Sequence, residues 1–264
     1  MSNNNTTISH GEKVLELRAH LRKLGRVAIA FSGGVDSSAL LAVAQDELGD
    51  RALAVIADSA SLPRRELAEA REIAAQLEAR LTVVRTDEGQ DPDYQANLGQ
   101  RCYFCKAALF RAMEKVCTRE QIPWMAFGEI TDDFSDHRPG AQAAREFGVV
   151  APLSAAGLDK QDVRRLAGHF GLQVADKPAS ACLASRIPVG SEVTSGRLKT
   201  VELAEEAVRA LGFRILRVRH HGRLARVEVG AQERLRAQEL CTEIEQCLVP
   251  LGFTEVRFAT YGSA

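Results

Sequence analysis

The chain has 264 residues, 45% of them hydrophobic and 26% charged, which suits one large globular domain or two modest ones. A formal net charge of −1 speaks against a protein held to nucleic acid by bulk electrostatics. No apolar run reaches the ~18 residues of a membrane span, so no membrane partner is expected.

The polar start Met1–Thr7 does not read as a signal peptide and is expected to fray; a cytoplasmic location is the default. Val14, Leu17, Leu21 and Leu24 at helical spacing predict a helix over 10–24. Val27–Phe31 is a short apolar run of the kind a buried parallel strand shows, and a helix follows to Leu48 with Gly49 as its stop. Ala52–Ala57 is a second strand, ending in a loop that begins at Asp58. Pro63 opens a helix carrying Leu67, Ala70, Ile73, Ala74 and Leu77 on one face. Leu81–Arg85 is a third strand. A polar, turn-rich stretch, 87–100, leads to the loop Arg101-Cys-Tyr-Phe-Cys105-Lys106 and then a helix. Trp124–Phe127 is a strand ending in the loop Gly128–Asp133. Pro139–Phe147 reads as helix, Val149–Leu153 as a short strand, and Lys160–Phe170 as helix.

This alternation predicts an α/β fold, a doubly wound, Rossmann-like parallel sheet over residues 1–175. The strand-end loops Ser32–Ser38, Asp58–Leu62, Cys102–Lys106 and Gly128–Asp133 then share one rim, where open sheets bind ligands. Residues 176–264 read as a joint loop, 176–190, followed by a smaller α+β domain. Its elements are a helix over 198–211, strands over 215–219 and 224–229 joined by a hairpin turn at His220–Arg223, a helix over 231–248 and a last strand over 253–258.

Ser32-Gly33-Gly34-Val35-Asp36-Ser37-Ser38 joins the first strand to its helix. Adjacent glycines let backbone N–H groups point outward at a helix N-terminus, a ready phosphate site, and the three serines add hydroxyl donors. The loop has neither Walker nor G-x-G-x-x-G spacing. Asp58, Lys106 and Gly128 stand on the same presumed rim and are further expected nucleotide contacts. Asp36, Asp132 and Asp133 are candidate magnesium ligands.

Of six cysteines, Cys117, Cys241 and Cys247 sit in helical patterns and read as packing residues. Cys102-x-x-Cys105 could be a redox dithiol, half a zinc site or two ligands of an iron–sulfur cluster. Cys182, in the joint loop, is the third candidate. Arg217 and Arg219 stand two apart on a strand and point to one face, an arrangement that suits a phosphate. Glu205 and Glu228 are possible carboxylate partners for these arginines.

The loop Ser32–Ser37 resembles the PP-loop of the ATP pyrophosphatase superfamily. Together with Arg101–Lys106, the run Ser135–Gly140 and Cys182-Leu-Ala-Ser185-Arg186-Ile-Pro188, it resembles the LarE family of ATP-dependent sulfur transferases. The resemblance implies adenylylation of a carboxylate on a pyridinium-3,5-biscarboxylic acid mononucleotide, loss of pyrophosphate, and sulfur entry to give a thiocarboxylate, toward a nickel-pincer cofactor. It implies ATP and Mg²⁺ as cofactors. Ser185, Arg217 and Arg219, with Arg186 beside them, would hold the substrate phosphate. Three-cysteine members look able to use a [4Fe–4S] cluster, which assigns Cys102, Cys105 and Cys182 as its ligands and as the catalytic set; other members sacrifice a cysteine sulfur. A sulfide donor and a homo-oligomer are the expected partners. The alternatives are a PP-loop enzyme that thiolates tRNA and a non-catalytic adenine-nucleotide sensor.

Overall fold

The computed structural model describes residues 9–135, 139–177 and 181–262. The polar start, the stretch 136–138 of the Ser135–Gly140 run and residues 178–180 of the joint loop lie outside the described residues. The fold divides into two compact units. The first falls within Met1–Ser59, Arg64–Glu88 and Cys102–Ser180, the second within Ala60–Pro63, Gly89–Arg101 and Ala181–Ala264.

The first unit is built on a four-stranded parallel sheet, flanked by helices as parallel sheets must be. In chain order its elements are α1 (His10–Leu24), β1 (Val27–Ala30), α2 (Val35–Leu48), β2 (Ala52–Asp58), α3 (Arg64–Gln76) and β3 (Arg80–Arg85). The strands stand in the order β3-β2-β1-β4, where β4 is Trp124–Phe127. Between β3 and β4 the chain makes a short helix α4 (Pro92–Ala96), which belongs to the second unit, and α5 (Arg101–Glu120). The first unit then adds α6 (Pro139–Glu146), α7 (Pro152–Ala155) and α8 (Lys160–His169).

Hydrophobic burial decides this arrangement. Ala28, Leu53, Val55 and Phe127 of the sheet pack against Ala107, Phe110, Met113 and Val116 of α5 in one core cluster. Each fully buried large side chain there stabilises the fold by roughly 1.5–3 kcal/mol. α2 is buried over most of its surface, from Val35 through Ala44, so its apolar residues run all round instead of forming a stripe. That central helix carries the glycine loop at its N-terminus.

Two first-unit expectations are corrected. Val149–Leu153 forms no strand: a single parallel bridge joins Val150 to Ala126, and Pro152 then opens α7. Proline lacks the N–H a ladder needs and is pre-set for a first helical position. Arg101–Lys106 is not a loop but the first two turns of α5, fastened to α6 by the Tyr103 hydroxyl, which donates to Glu146 at 2.6 Å.

The second unit contains α9 (Ser195–Ala210), β5 (Leu216–His221), β6 (Leu224–Val229), α10 (Arg234–Glu239), α11 (Cys241–Leu248) and β7 (Glu255–Thr260). β5 runs antiparallel to β6, and β6 parallel to β7. Val218, Val227 and Val229 pack with Ala204, Val208, Ile244 and Leu248 of the helices. The helix expected over 231–248 is interrupted at Leu240, between α10 and α11. His220 and His221 pair within the β5–β6 ladder, leaving Gly222 and Arg223 as the turn, with Gly222 at φ +68. A two-residue hairpin favours glycine at such a position, which centres the turn on Gly222. His220 is half-buried with its ring 5.4 Å from Phe253, while His221 is exposed as expected.

Candidate active site

The glycine loop is tied by its own serines. Ser37 Oγ accepts from Ser32 N–H and donates to Gly34 C=O, and Ser32 Oγ accepts from Gly34 N–H. Gly33 has φ +72, and a Cβ on it would sit 2.9 Å from Ala70 Cβ. Gly34 is the N-cap of α2 at an ordinary φ of −75, and it supplies no side-chain cap. The first N–H groups of α2, which have no partner inside the helix, therefore face the loop's ligand side with the positive end of the helix dipole. At Gly128, beyond β4, a Cβ would lie 2.8 Å from Ser37 N, so only glycine lets the β4 end pass against this turn.

A cavity of about 180 Å³ opens here, lined by Ser32, Gly34, Asp36, Ser37, Lys106 and Gly128 over an apolar floor that includes Phe31, Phe110 and Phe127. Lys106 enters from the second turn of α5 with its ammonium 4.4 Å from the Phe127 ring centroid. Its stem passes Gly140, where a Cβ would meet Lys106 Cδ at 2.9 Å. Thus Ser32, Gly34, Asp36, Ser37, Lys106 and Gly128 are brought together as expected from their rim positions. Ser38 is buried behind the loop with a hydroxyl that has no partner among the described residues. Asp58, at the end of β2, is held instead by Arg64, which also donates to Ser59 C=O.

The sequence reading missed Lys160. It is the first residue of α8, and its ammonium bonds both carboxylate oxygens of Asp36, at 2.8 and 2.9 Å. Its backbone N–H donates to Asp132, which is exposed, at 3.3 Å. Asp133 turns inward to accept from Ile130 N–H. No signal in the sequence set Lys160 apart, since α3, α5 and α10 also open on cations.

In the second unit, Arg217 and Arg219 share one face of β5. The Arg217 guanidinium lies 4.5 Å from the Tyr261 ring centroid and has no carboxylate partner among the described residues. Arg219 bonds the fully buried Glu228 at 2.5 Å and Ser185 C=O at 3.3 Å, and Glu228 also lies 3.5 Å from Arg226. Arg186 behaves differently. It is buried, paired with buried Glu205 at 2.8 Å, and donates to the carbonyls of Ala181 and Cys182 and to Ser185 Oγ. Glu205 in turn accepts from Val218 N–H. The Arg186–Glu205 pair thus fastens the loop 181–186 to β5.

Cys102 and Cys105 lie one helical turn apart on α5, Cys102 exposed and Cys105 half-buried; Cys182, in the second unit, is half-buried. Cys117 is buried, and desolvation, helped by Glu114, pushes its thiol up to about 11. Among the described residues no group of three or more His, Cys, Asp or Glu is gathered to hold a metal ion. No helix among them is long and apolar enough to cross a membrane.

A buried strand, a glycine–serine turn and a buried helix that presents its N-terminus to a cavity holding Lys106 and Asp36 define a PP-loop nucleotide enzyme. A family model described as asparagine synthase matches residues 16–113. The chain is 35% identical over 218 residues to the pyridinium-3,5-bisthiocarboxylic acid mononucleotide synthase of Lactiplantibacillus plantarum, covering 82% of this chain and 79% of that one. It is 39% identical over 221 residues to an uncharacterized protein of Synechocystis sp., covering 84% and 82%. A glutamine-hydrolysing GMP synthase of Chlamydia caviae is 27% identical over 128 residues, 46% of this chain and 24% of that protein. The chain belongs to the LarE family, ATP-using sulfurtransferases that include the Lactiplantibacillus synthase.

Proposed function

We propose that this chain uses ATP to adenylylate a carboxylate of pyridinium-3,5-biscarboxylic acid mononucleotide and exchanges one carboxylate oxygen for sulfur. The observation that carries the reading is the PP-loop cavity in a chain 35% identical to a synthase of the bisthiocarboxylic acid. A carboxylate repels nucleophiles and has no good leaving group. Its attack on the α-phosphorus of ATP releases pyrophosphate and gives an acyl adenylate. Sulfur then adds to the acyl carbon, and AMP leaves with the displaced oxygen. A second round on the other carboxylate gives the bisthiocarboxylate named for the relative.

The outward N–H groups of α2 and the ammonium of Lys106 are suited to the leaving pyrophosphate. Asp36 would hold Mg²⁺, with Asp132 as a further candidate; the reading is supported by the place of Asp36 in the first turn of α2, on the lining of the cavity. When bound, the metal neutralises phosphate charge. Ser185, Arg217 and Arg219 would take the mononucleotide phosphate, Arg217 being supported by its unpaired charge.

For the sulfur source, Cys102, Cys105 and Cys182 would be the ligands of a [4Fe–4S] cluster with one open iron; what supports the reading is the pair Cys102 and Cys105, one turn apart on α5, with the resemblance to the three-cysteine members. Such a cluster supplies, when bound, a replaceable sulfide. The other reading spends the thiol of Cys182 itself.

The test of the ATP chemistry is product analysis. The protein with Mg²⁺, ATP and the biscarboxylic mononucleotide should release pyrophosphate and AMP in step with thiocarboxylate. Release of ADP and orthophosphate would remove the assignment.

A further inference from the structure

We propose that Lys160 and a divalent metal compete for the Asp36 carboxylate, so that the metal enters only together with the nucleotide. This rests on the reading of the loop as a Mg²⁺–ATP site. Both Asp36 oxygens are occupied by one ammonium, at 2.8 and 2.9 Å. A divalent ion needs a lone pair of that same carboxylate, and the ammonium beside it would repel the ion strongly at such range. Free metal therefore binds only the fraction of molecules in which Lys160 has let go, and its apparent affinity falls by that fraction.

ATP removes the conflict. Its phosphates, seated on the N-terminus of α2 next to Asp36, offer the ammonium another anion. The base of Lys160 stays fixed, because its N–H is bonded to Asp132 and it opens α8 behind the Asp159 capping box. Its four-carbon stem is flexible enough to swing from Asp36 to phosphate. The carboxylate is released for the metal as the phosphates arrive. By linkage the coupling is reciprocal: nucleotide raises metal affinity and metal raises nucleotide affinity. Lys160 thus has opposite effects on the two ligands, which a residue that merely lines a phosphate site does not.

The experiment measures Mn²⁺ binding to the full chain by electron paramagnetic resonance, with and without α,β-methylene-ATP, which cannot be split at the α–β bridge. In wild type, Mn²⁺ alone should bind weakly, and the analogue should raise its affinity beyond what the analogue shows for Mn²⁺ in solution. Lys160→Met should bind Mn²⁺ alone about tenfold or more tighter and the analogue about tenfold weaker. Lys160→Arg should still exclude free Mn²⁺, and adding Asp36→Asn to Lys160→Met should abolish the gained metal site. Wild type binding Mn²⁺ equally with and without analogue would overturn the competition whatever the variants do, as would Lys160→Met showing no gain or Lys160→Arg gaining as much. Wild type that binds no analogue at all would overturn the nucleotide reading too, a distinct outcome.

Discussion

Gly33, Gly34 and Gly128 look alike in sequence and are not alike in the fold. Gly33 needs its positive φ, Gly128 needs its missing Cβ, and Gly34 has an ordinary backbone with only Ser32 Oγ within reach, at 3.3 Å. Gly128→Ala is therefore expected to push β4 away from α2, cost roughly 1–3 kcal/mol in urea unfolding and abolish ATP binding by calorimetry, whereas Gly34→Ala should unfold nearly as wild type. The same contrast divides the arginines. The family resemblance grouped Arg186 with Ser185, Arg217 and Arg219 as substrate ligands, and spacing put Arg217 and Arg219 on one strand face, but neither says which guanidinium is already spent. Arg217→Ala should leave the fold intact and weaken mononucleotide binding by about 1.5–3 kcal/mol, as loss of a charge-assisted hydrogen bond does. Arg186→Ala strands the buried Glu205 carboxylate and should instead cost about 3–5 kcal/mol of stability, read by urea unfolding. Equal stability loss in both variants would contradict this division.

At the scale of elements, helices with an apolar stripe and short unbroken apolar runs were legible: α1, α3, α8 and α9 by the first signal, and α2, β1, β2 and β4 by the second, stand close to where the sequence puts them. What was not legible depends on partners distant in sequence. The start of α5 is fixed by Tyr103 reaching Glu146, and Lys160 has meaning only because α8 begins beside the glycine loop. The junction of α1 with α8 is another such case. Asp162 is buried, accepts from Lys13 at 2.5 Å, lies 2.9 Å from His10 Nδ1 and closes the α8 capping box. Burial opposes its charge, but the bonds from Lys13 and His10 outweigh it and hold the carboxyl below its usual 3.8. A depressed folded value means that the contribution is full above the unfolded value and is lost as pH falls through the folded one. Unfolding stability of wild type should thus drop on acidification below 3.8, and Asp162→Asn should be less stable at neutral pH with a shallower acid limb. An unchanged acid limb in that variant would show that other carboxylates govern it.

At the scale of the whole molecule, the residues proposed for the chemistry are divided between the two units: the nucleotide loop, Lys106, Lys160, Cys102 and Cys105 belong to the first, and Ser185, Arg217, Arg219 and Cys182 to the second. Short stretches around Ser61 and Asn97 also belong to the second unit. Ser61 C=O accepts from Leu183 N–H, and the Asn97 side chain donates to the carbonyls of Pro188 and Ser191. Nothing in those polar segments announces these bonds beforehand, since each is made to a residue some ninety or more positions away. The proposed cluster makes a demand on this organisation that a sacrificed thiol does not. If all three cysteines are ligands, anaerobically reconstituted protein should carry iron and sulfide, and each of Cys102→Ala, Cys105→Ala and Cys182→Ala should lose them. The sulfur delivered would then be replaceable, and intact mass would stay constant over repeated turnovers with added sulfide. A spent Cys182 predicts the reverse: no iron, at most one sulfur delivered per chain, and a protein lighter by one H₂S, with Cys102→Ala and Cys105→Ala still competent for that single event. Cys117 serves as the internal control. With its thiol raised to about 11 by burial, it should resist iodoacetamide in apo protein under mildly alkaline conditions that alkylate exposed Cys102. Iron binding should then protect Cys102 from the same reagent. Iron-loaded protein whose Cys102 still alkylates at the apo rate would remove that cysteine from the ligand set.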